Sequence, residues 1–474
     1  THIFLQEPVT ACVTEVVSCE MREPISRAVE IMTRHGASAI LITSGGETTG
    51  IVTDRDIRER VVAAGLSPGE PVFHVMSSPV VYIQHQSAVY EAILAIREKN
   101  LRHLVARDDT GQIVGIIDIR ELLHFHRYTL AVLTREVRQA KSPDDIAAVR
   151  HELPRLVKSL IEGGARTRNI TRSITTLSDA ITARLIHLAI EQAGPPPVEF
   201  AFIALGSAGR EELTLASDQD NAIIFDDVDD SALPGVQEYF LKLGGLVCNW
   251  LDRAGYPACE GGIMAGNPKW CQPLRVWKRY FSDWVRTAEP QSILDCMTFF
   301  DFRVVHGEKQ YAALLRRHID EELGAEPAFL LHYAQYALQY RIPIGFFGNI
   351  VVESAKDHPP TFNIKEGMMP VVNFARLYAL RHGVGETNTL DRIHELTELG
   401  ILRKSLHDEA TQVYDCLMQV RLGHQANAAA QNLPPDNAVN PKGLTHMEGT
   451  LIKEAFAQVS TIQKKISYDF LGGA

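Results

Sequence analysis

The sequence predicts a multidomain protein built from α/β and all-α parts, and three observations carry that reading. A helix, strand, strand pattern recurs 65 positions apart within the first 130 residues, two apolar strands flank a polar turn between 202 and 227, and apolar residues beyond 321 recur at three- and four-residue spacing. At 474 residues the chain exceeds one domain of ordinary size, and two to four are expected.

Composition narrows the class. Lys and Arg number 47 against 58 Asp and Glu, a formal net charge of −11. That balance argues against broad nucleic-acid binding and leaves room only for a local basic groove. The seven cysteines, Cys12, Cys19, Cys248, Cys259, Cys271, Cys296 and Cys416, are scattered with no C-x-x-C pair. Reduced thiols in a cytoplasm are expected, not a disulfide frame or a zinc site. No apolar run approaches the roughly 20 residues of a membrane helix, and no signal-peptide pattern is seen. A soluble, cytoplasmic protein without a membrane partner is therefore expected. The chain starts at Thr1 without a methionine and runs straight into Ile3-Phe4-Leu5, which reads as a cut within a longer polypeptide.

In the first 130 residues, Gly50-Ile51-Val52-Thr53-Asp54-Arg55-Asp56-Ile57 returns in weaker form as Gly115-Ile116-Ile117-Asp118-Ile119-Arg120-Glu121-Leu122. Each copy follows a helix-like stretch (25 to 35; 88 to 100) and an apolar strand (39 to 43; 103 to 106), so each half reads helix, strand, strand, helix. Residues 8–128 resemble a tandem pair of CBS domains, which pack about a pseudo-twofold axis and bind adenine nucleotides. The resemblance implies AMP, ADP or ATP as ligand and a homodimer formed through the module. Thr53 matches the hydroxyl residue that contacts phosphate, and Asp56 the acid that accepts from ribose hydroxyls. In the second copy Asp118 replaces the hydroxyl residue and Glu121 the acid. A carboxylate at the phosphate position repels an anion, so at most one good nucleotide site is expected. A dimerisation module with no ligand is the alternative.

Residues 131–195 read as a helical connector. Ser142-Pro143-Asp144-Asp145 is a helix start with Pro in the first turn and acids that favour the dipole. Gly163-Gly164 predicts a break, a second helix runs from about 167 to 193, and Gly194 with the three prolines after it ends that helix. The connector either transmits a state of the repeated module or is a spacer packed on the next domain.

Residues 196–320 hold the catalytic candidate. The apolar run from Phe202 to Leu205 ends at Gly206-Ser207, and Asp218 and Asp220 open a second apolar run, Ala222 to Phe225. Side chains two apart in a strand share a face, roughly 6 to 7 Å apart at the backbone. Two like charges so placed repel by about 2.5 kcal/mol at an effective dielectric of ~20. A divalent cation offsets that repulsion, and Mg²⁺ suits one or two carboxylates plus substrate phosphates. Gly206 permits close approach of the backbone to a phosphate, Ser207 and the amides after it can bind phosphate oxygens, and Arg210 adds a cation.

This stretch, with Gly206, Ser207, Gly209, Arg210, Glu212, Ser217, Asp218 and Asp220, resembles the signature of the DNA polymerase beta-like nucleotidyltransferases, in the branch of the PII-protein uridylyltransferases. The resemblance implies an NTP substrate, a possible two-metal Mg²⁺ site and a third carboxylate from a later strand. Glu260 is the nearest candidate, although Gly261 and Gly262 flank it. Around Asn267-Pro268-Lys269-Trp270 and Phe299-Phe300-Asp301-Phe302-Arg303 the chain is similar to a bacterial family that fuses CBS pairs to this transferase. Lys269, Asp301 and Arg303 are cleft candidates, with internal ion pairs as the alternative.

Residues 321–474 read as a helical bundle, with helices near 329–340, 371–382, 389–399 and 408–425 and a loop over 426–442. The order is similar to the substrate-binding domain of the same family, which places Lys365 and Arg376 as cleft candidates. Together these resemblances imply a Mg²⁺-dependent transferase moving a nucleoside monophosphate, uridylyl or adenylyl, to an unknown acceptor, for which the family analogy suggests a signalling protein such as PII. The alternative is a nucleotide-sensing signal-transduction adaptor that has lost catalysis.

Overall fold

The 65-residue repeat folds into two small sheets of the same design. The computed structural model describes residues 9–99, 101–118, 130–287, 296–345, 350–352 and 359–472. By contact density the chain divides into two units, Thr1–Val132 and Leu133–Ala474. In the first, β1 (Ser18–Glu20), β2 (Ala39–Ser44) and β3 (Glu47–Thr53) form one sheet, and β4 (Tyr82–Gln84), β5 (His103–Arg107) and β6 (Ile113–Asp118) form the other. In each sheet the first pair is parallel and the second antiparallel. Helices α1 (Ile25–His35) and α2 (Val89–Glu98) each cover one sheet.

Each copy has its own core, one around Ile25, Met32, Ile40 and Val52 and the other around Val89, Ile96, Leu104 and Ile117. A third cluster, Ala39, Leu41, Val80, Val105 and Ile116, draws on both copies. Alternation along β2 explains this: Ile40 and Ile42 face their own helix, while Ala39 and Leu41 face the other copy. The helix expected after β6, with Glu121, lies outside the described residues.

The second unit begins with α3 (Leu130–Gln139), α4 (Pro143–Arg150) and α5 (Leu153–Glu162). Ser142 caps α4 as a capping box, its Oγ accepting from the Asp145 N–H while the Asp145 carboxylate accepts from the Ser142 N–H. The 27-residue α6 (Thr167–Ala193) follows.

A four-stranded sheet in the order β10-β7-β8-β9 comes next, from β7 (Phe200–Leu205), β8 (Asn221–Phe225), β9 (Cys271–Pro273) and β10 (Phe302–Gly307). β7 is antiparallel to β8 and β10, and β8 is parallel to β9. Every residue of β7 and β8 is buried, which is why both strands read as continuous apolar runs. Against the sheet lie α6, α7 (Leu233–Arg253) and α8 (Leu274–Thr287).

The helical part comprises α9 (Gln310–Ala325), α10 (Ala328–Ala337), α11 (Ile364–Arg381), α12 (Thr389–Glu398), α13 (Lys404–Ala430) and α14 (His446–Leu471). Two boundaries differ from expectation. α11 begins seven residues before the expected 371, because Asn363 caps it and Pro370 is tolerated inside it. α13 continues to Ala430, into the stretch expected to be loop. A two-residue ladder of β11 (Phe362–Asn363) with β12 (Ala438–Val439) fixes the start of α11 beside the segment after α13.

One buried cluster joins the sheet to these helices. The Asp301 carboxylate, fully buried, accepts from Arg210 Nη1 at 2.8 Å, Arg376 Nε at 2.9 Å and Arg392 Nη1 at 2.7 Å. Burial by itself would raise the Asp301 pKa, but Arg376, Arg392 and Arg210 outweigh it and hold the carboxyl far below the usual range. Removing one partner of such a buried network leaves uncompensated charge. Asp301→Asn is therefore expected to cost about 3–5 kcal/mol of stability, measured by urea unfolding of the full chain. A loss under 1 kcal/mol would show that the cluster is not what holds the two parts together.

Candidate functional site

The site forms where β7 ends and β8 begins. Because the two strands run antiparallel, the Gly206-Ser207 turn and the Asp218–Asp220 segment emerge at the same edge. Asp218 and Asp220 precede β8 and do not lie within it, although the Leu205 N–H still bonds to the Asp220 carbonyl at 2.9 Å and extends the ladder by one step. Gly206 has φ of +55°, and a Cβ there would stand 2.8 Å from Asp220 Oδ2. Only glycine fits both requirements, so Gly206 makes room for the Asp220 carboxylate. Gly209 is equally constrained, since a Cβ would stand 2.1 Å from the Asp301 carbonyl oxygen.

Ligand atoms of Asp218, Asp220 and Cys259 all lie within 4.8 Å of one another, the one such group of three among the described residues. Cys259 is carried there by the loop after α7, which is stitched alongside the Asp218–Asn221 segment. The Gln219 N–H bonds to the Pro257 carbonyl at 2.9 Å, and the Gln219 side-chain amide donates to the carbonyls of Cys248 and Tyr256. The Asn221 N–H bonds to the Ile263 carbonyl, and Asn221 Oδ1 accepts from the Ala265 N–H at 2.8 Å. Glu260, one residue further, is exposed and outside the group. Where Glu260 was expected to supply the third ligand, the loop brings the Cys259 side chain to the acids and leaves its neighbour exposed.

Burial and the neighbouring Asp218 push the Asp220 pKa up to about 6, opposed by a hydrogen bond from the Cys259 thiol and by the charge of Lys365. Lys365, in the first turn of α11, thus stands within electrostatic reach of the acid pair. Arg421 of α13 is felt by Asp218, is itself buried, and donates to Asn437 at 2.8 Å; burial lowers its pKa to about 10, which leaves it cationic at neutral pH. Two cations from the helical part therefore lie within electrostatic reach of the acid pair.

Arg210 does not face this cleft. Its Nε donates to Glu212 at 2.7 Å and its Nη1 to Asp301, and it is 7% exposed, so where a phosphate contact was expected the side chain is engaged in an internal ion-pair cluster. Asp301 and Arg376 belong to the same buried cluster. Arg303 makes a two-pronged pair with Asp179 of α6 at 2.7 and 2.9 Å. Lys269 lies over the Trp270 ring at 4.6 Å from its centre. Ser207 remains at the site, half-buried beside Gly206. The residue that sequence reasoning missed is Cys259. Its signal was adjacency to the candidate chosen and the polar Gln219 and Asn221 that interleave the acids.

In the first unit, Thr53 and Asp56 meet one another. The Thr53 hydroxyl donates to Asp56 Oδ2 at 2.7 Å, as does the Thr53 N–H at 2.9 Å, so the two close a capping box. At the equivalent position of the second copy the Asp118 carboxylate is buried, accepting from Ser38 Oγ at 2.6 Å and contacting His103 Nε2 at 3.2 Å.

The raised Asp220 pKa has a consequence for stability. The native state holds its proton up to about pH 6 whereas the unfolded chain releases it near the ordinary aspartate value of 3.8. Stability therefore falls as pH rises through that window, by on the order of 2–3 kcal/mol. Asp220→Asn is expected to raise the melting temperature of the metal-free protein at pH 7 and to leave it unchanged at pH 4. Differential scanning calorimetry at the two pH values tests this; equal shifts at both would contradict it.

Comparison with known proteins agrees with this division. Residues 9–63 and 72–127 match the CBS domain model, residues 151–291 the model described as "Putative nucleotidyltransferase DUF294", and residues 327–470 "Putative nucleotidyltransferase substrate binding domain". An uncharacterized protein of Methanopyrus kandleri is 32% identical over 121 residues, which is 24% of this chain and 62% of that protein. The CBS domain-containing protein YhcV of Bacillus subtilis is 29% identical over 109 residues, 23% of this chain and 77% of its own length. A CBS domain protein of Pyrobaculum aerophilum solved with AMP is 23% identical, with a TM-score of 0.24, covering 27% of this chain and 96% of that one. No helix among the described residues is long and apolar enough to cross a membrane. The chain thus carries, in order, a CBS-domain pair, a region of the family described as "Putative nucleotidyltransferase DUF294" and the substrate-binding domain described with it.

Proposed function

We propose that the second unit transfers a nucleoside monophosphate from a nucleoside triphosphate to an acceptor, and that the CBS pair regulates it by binding an adenine nucleotide. The observation that carries this is the convergence of Asp218 and Asp220 beside the Gly206-Ser207 turn, with Lys365 and Arg421 supplied from the facing helices. The donor set fits a divalent cation: two carboxylates in mutual repulsion, one of them seated where a Cβ would intrude. Mg²⁺ is the cation the family resemblance implies. When bound, it would neutralise triphosphate charge and polarise the transferred phosphoryl group.

The chain's own residues do the rest. Asp218 and Asp220 would hold the cation, and the Ser207 hydroxyl would donate to phosphate oxygens. Lys365 and Arg421 would add positive charge within electrostatic reach of the acids. Fixed charges in a partly dehydrated cleft stabilise charge developing on phosphate without reorganising. An acceptor would enter between the sheet edge and the start of α11, and a signalling protein of the PII type remains the family analogy.

One observation favours a second reading, a nucleotide-sensing adaptor without catalysis: among the described residues the group at the acid pair contains a thiol where a third carboxylate was expected. Calorimetric titration with Mg²⁺ and each nucleoside triphosphate separates the cases when paired with a labelled-triphosphate acceptor screen. The transferase reading expects binding that the Asp218→Asn, Asp220→Asn double variant weakens by at least about 100-fold, together with labelled product. Binding unchanged in the double variant sinks both the metal and the substrate assignment.

For regulation, a groove of about 310 Å³ opens beside the Thr53–Asp56 turn, lined by Met32, Thr33, Asp54 and Ile57 among others. Asp118 places a carboxylate at the equivalent phosphate position in the second copy. AMP is expected to bind once per chain, to weaken about tenfold in Thr53→Ala, and to gain a second site in Asp118→Thr. Equilibrium dialysis with labelled AMP measures the stoichiometry, and two sites in the unaltered protein would contradict it.

A further inference from the structure

We infer that Cys259 is a protein ligand of the cation at the acid pair, and that it makes the site select a borderline-soft divalent ion of the Zn²⁺ or Co²⁺ kind over Mg²⁺. The inference rests on the proposed metal role of Asp218 and Asp220 and names the ion class for that same site.

Three features point this way. The Cys259 sulfur lies within 4.8 Å of ligand oxygens on both acids. A four-coordinate ion with oxygens and sulfur at roughly 2.0–2.3 Å keeps its ligands closer together than that, so modest side-chain rotations close the shell. The thiol already hydrogen-bonds to Asp220, which orients its lone pairs and proton along the line between the two groups. The loop after Cys259 also doubles back, and the N–H groups of Gly261 and Ile263 donate to its sulfur. On binding, the thiol releases its proton to solvent as the sulfur–metal bond forms, the cation taking the proton's place.

Chemistry then sets the preference. Mg²⁺ takes hard oxygen ligands and binds thiolate poorly, whereas thiolate suits Zn²⁺ and Co²⁺. Two carboxylates and one thiolate also leave a coordination position for a substrate oxygen, the arrangement of catalytic sites with three protein ligands. The other described cysteines are buried except Cys416, and none of them joins such a group.

The test is a titration of the metal-stripped full chain with Co²⁺, which reports a thiolate ligand by a sulfur-to-cobalt charge-transfer band in the near ultraviolet. The unaltered protein is expected to show the band at one equivalent. Cys259→Ser is expected to lose it and to bind Co²⁺ about tenfold or more weakly, while its Mg²⁺ affinity holds. Cys259→Asp is expected to shift preference toward Mg²⁺, and its melting curve guards against misfolding. A band that survives in Cys259→Ser overturns the assignment. Absence of the band, with Mg²⁺-supported triphosphate binding that still depends on Asp218 and Asp220, overturns the thiol ligand alone. If neither Mg²⁺ nor Co²⁺ gives heat that depends on the two acids, the metal reading beneath it falls as well.

Discussion

A single buried carboxylate organises the second unit. Asp301 stands immediately before β10 and gathers guanidinium groups from the turn after β7, from α11 and from α12. Arg210 in turn holds Glu212, whose second oxygen accepts from the Thr389 N–H at 2.7 Å at the start of α12. Around it, Thr387 Oγ1 donates to the Gly209 carbonyl and the Asn388 amide to that of Arg210. Three arginines against two acids leave an excess of positive charge in a dry interior, a costly arrangement unless every partner is kept. The signature turn cannot shift without disturbing the helices that face it.

That constraint positions the site. With Gly209 pressed against the Asp301 backbone, the Gly206-Ser207 end of the same turn is fixed against Asp220. The long α6 reinforces the arrangement from behind: Asp179 holds Arg303 of β10, while Arg172 pairs with Asp391 of α12 at 2.7 Å. Glu211, between Arg210 and Glu212, has φ of 58°, a conformation uncommon for a side chain of that kind, and pairs with Arg172 at 3.2 Å. Strain of this sort persists where surrounding contacts determine it, and it occurs here within the turn that leads to the acids. The residues of the family signature thus divide by their contacts: Asp218 and Asp220 come together beside Gly206, while Gly209, Arg210 and Glu212 tie the turn to Asp301 and the helices.

The first unit follows the same economy with polar groups. Where Thr53 and Asp56 satisfy one another as a helix cap, Asp118 is satisfied by Ser38 and His103, residues that are themselves 65 positions apart and meet because the two copies share a core. The repeat is symmetric in its backbone and asymmetric in its chemistry.

The sequence by itself determined the architecture and part of the site. Periodicity and breakers located α1, α4 and α6 closely, since apolar spacing, caps and prolines act over a few residues and are written locally. The spacing from Gly206 to Asp220 located the acids, because an antiparallel pair of strands must bring its turn residues together. Tertiary structure decided which charges face the cleft and which are consumed inside. Arg210, Asp301 and Arg376 looked like cleft residues because a lone arginine or aspartate carries no mark of its partner, and their partners lie 75 to 91 positions apart along the chain. Cys259 and Glu260 differ only in the direction a loop turns them, and that direction is set by bonds from Gln219 and Asn221, about 40 residues upstream, that no local pattern encodes.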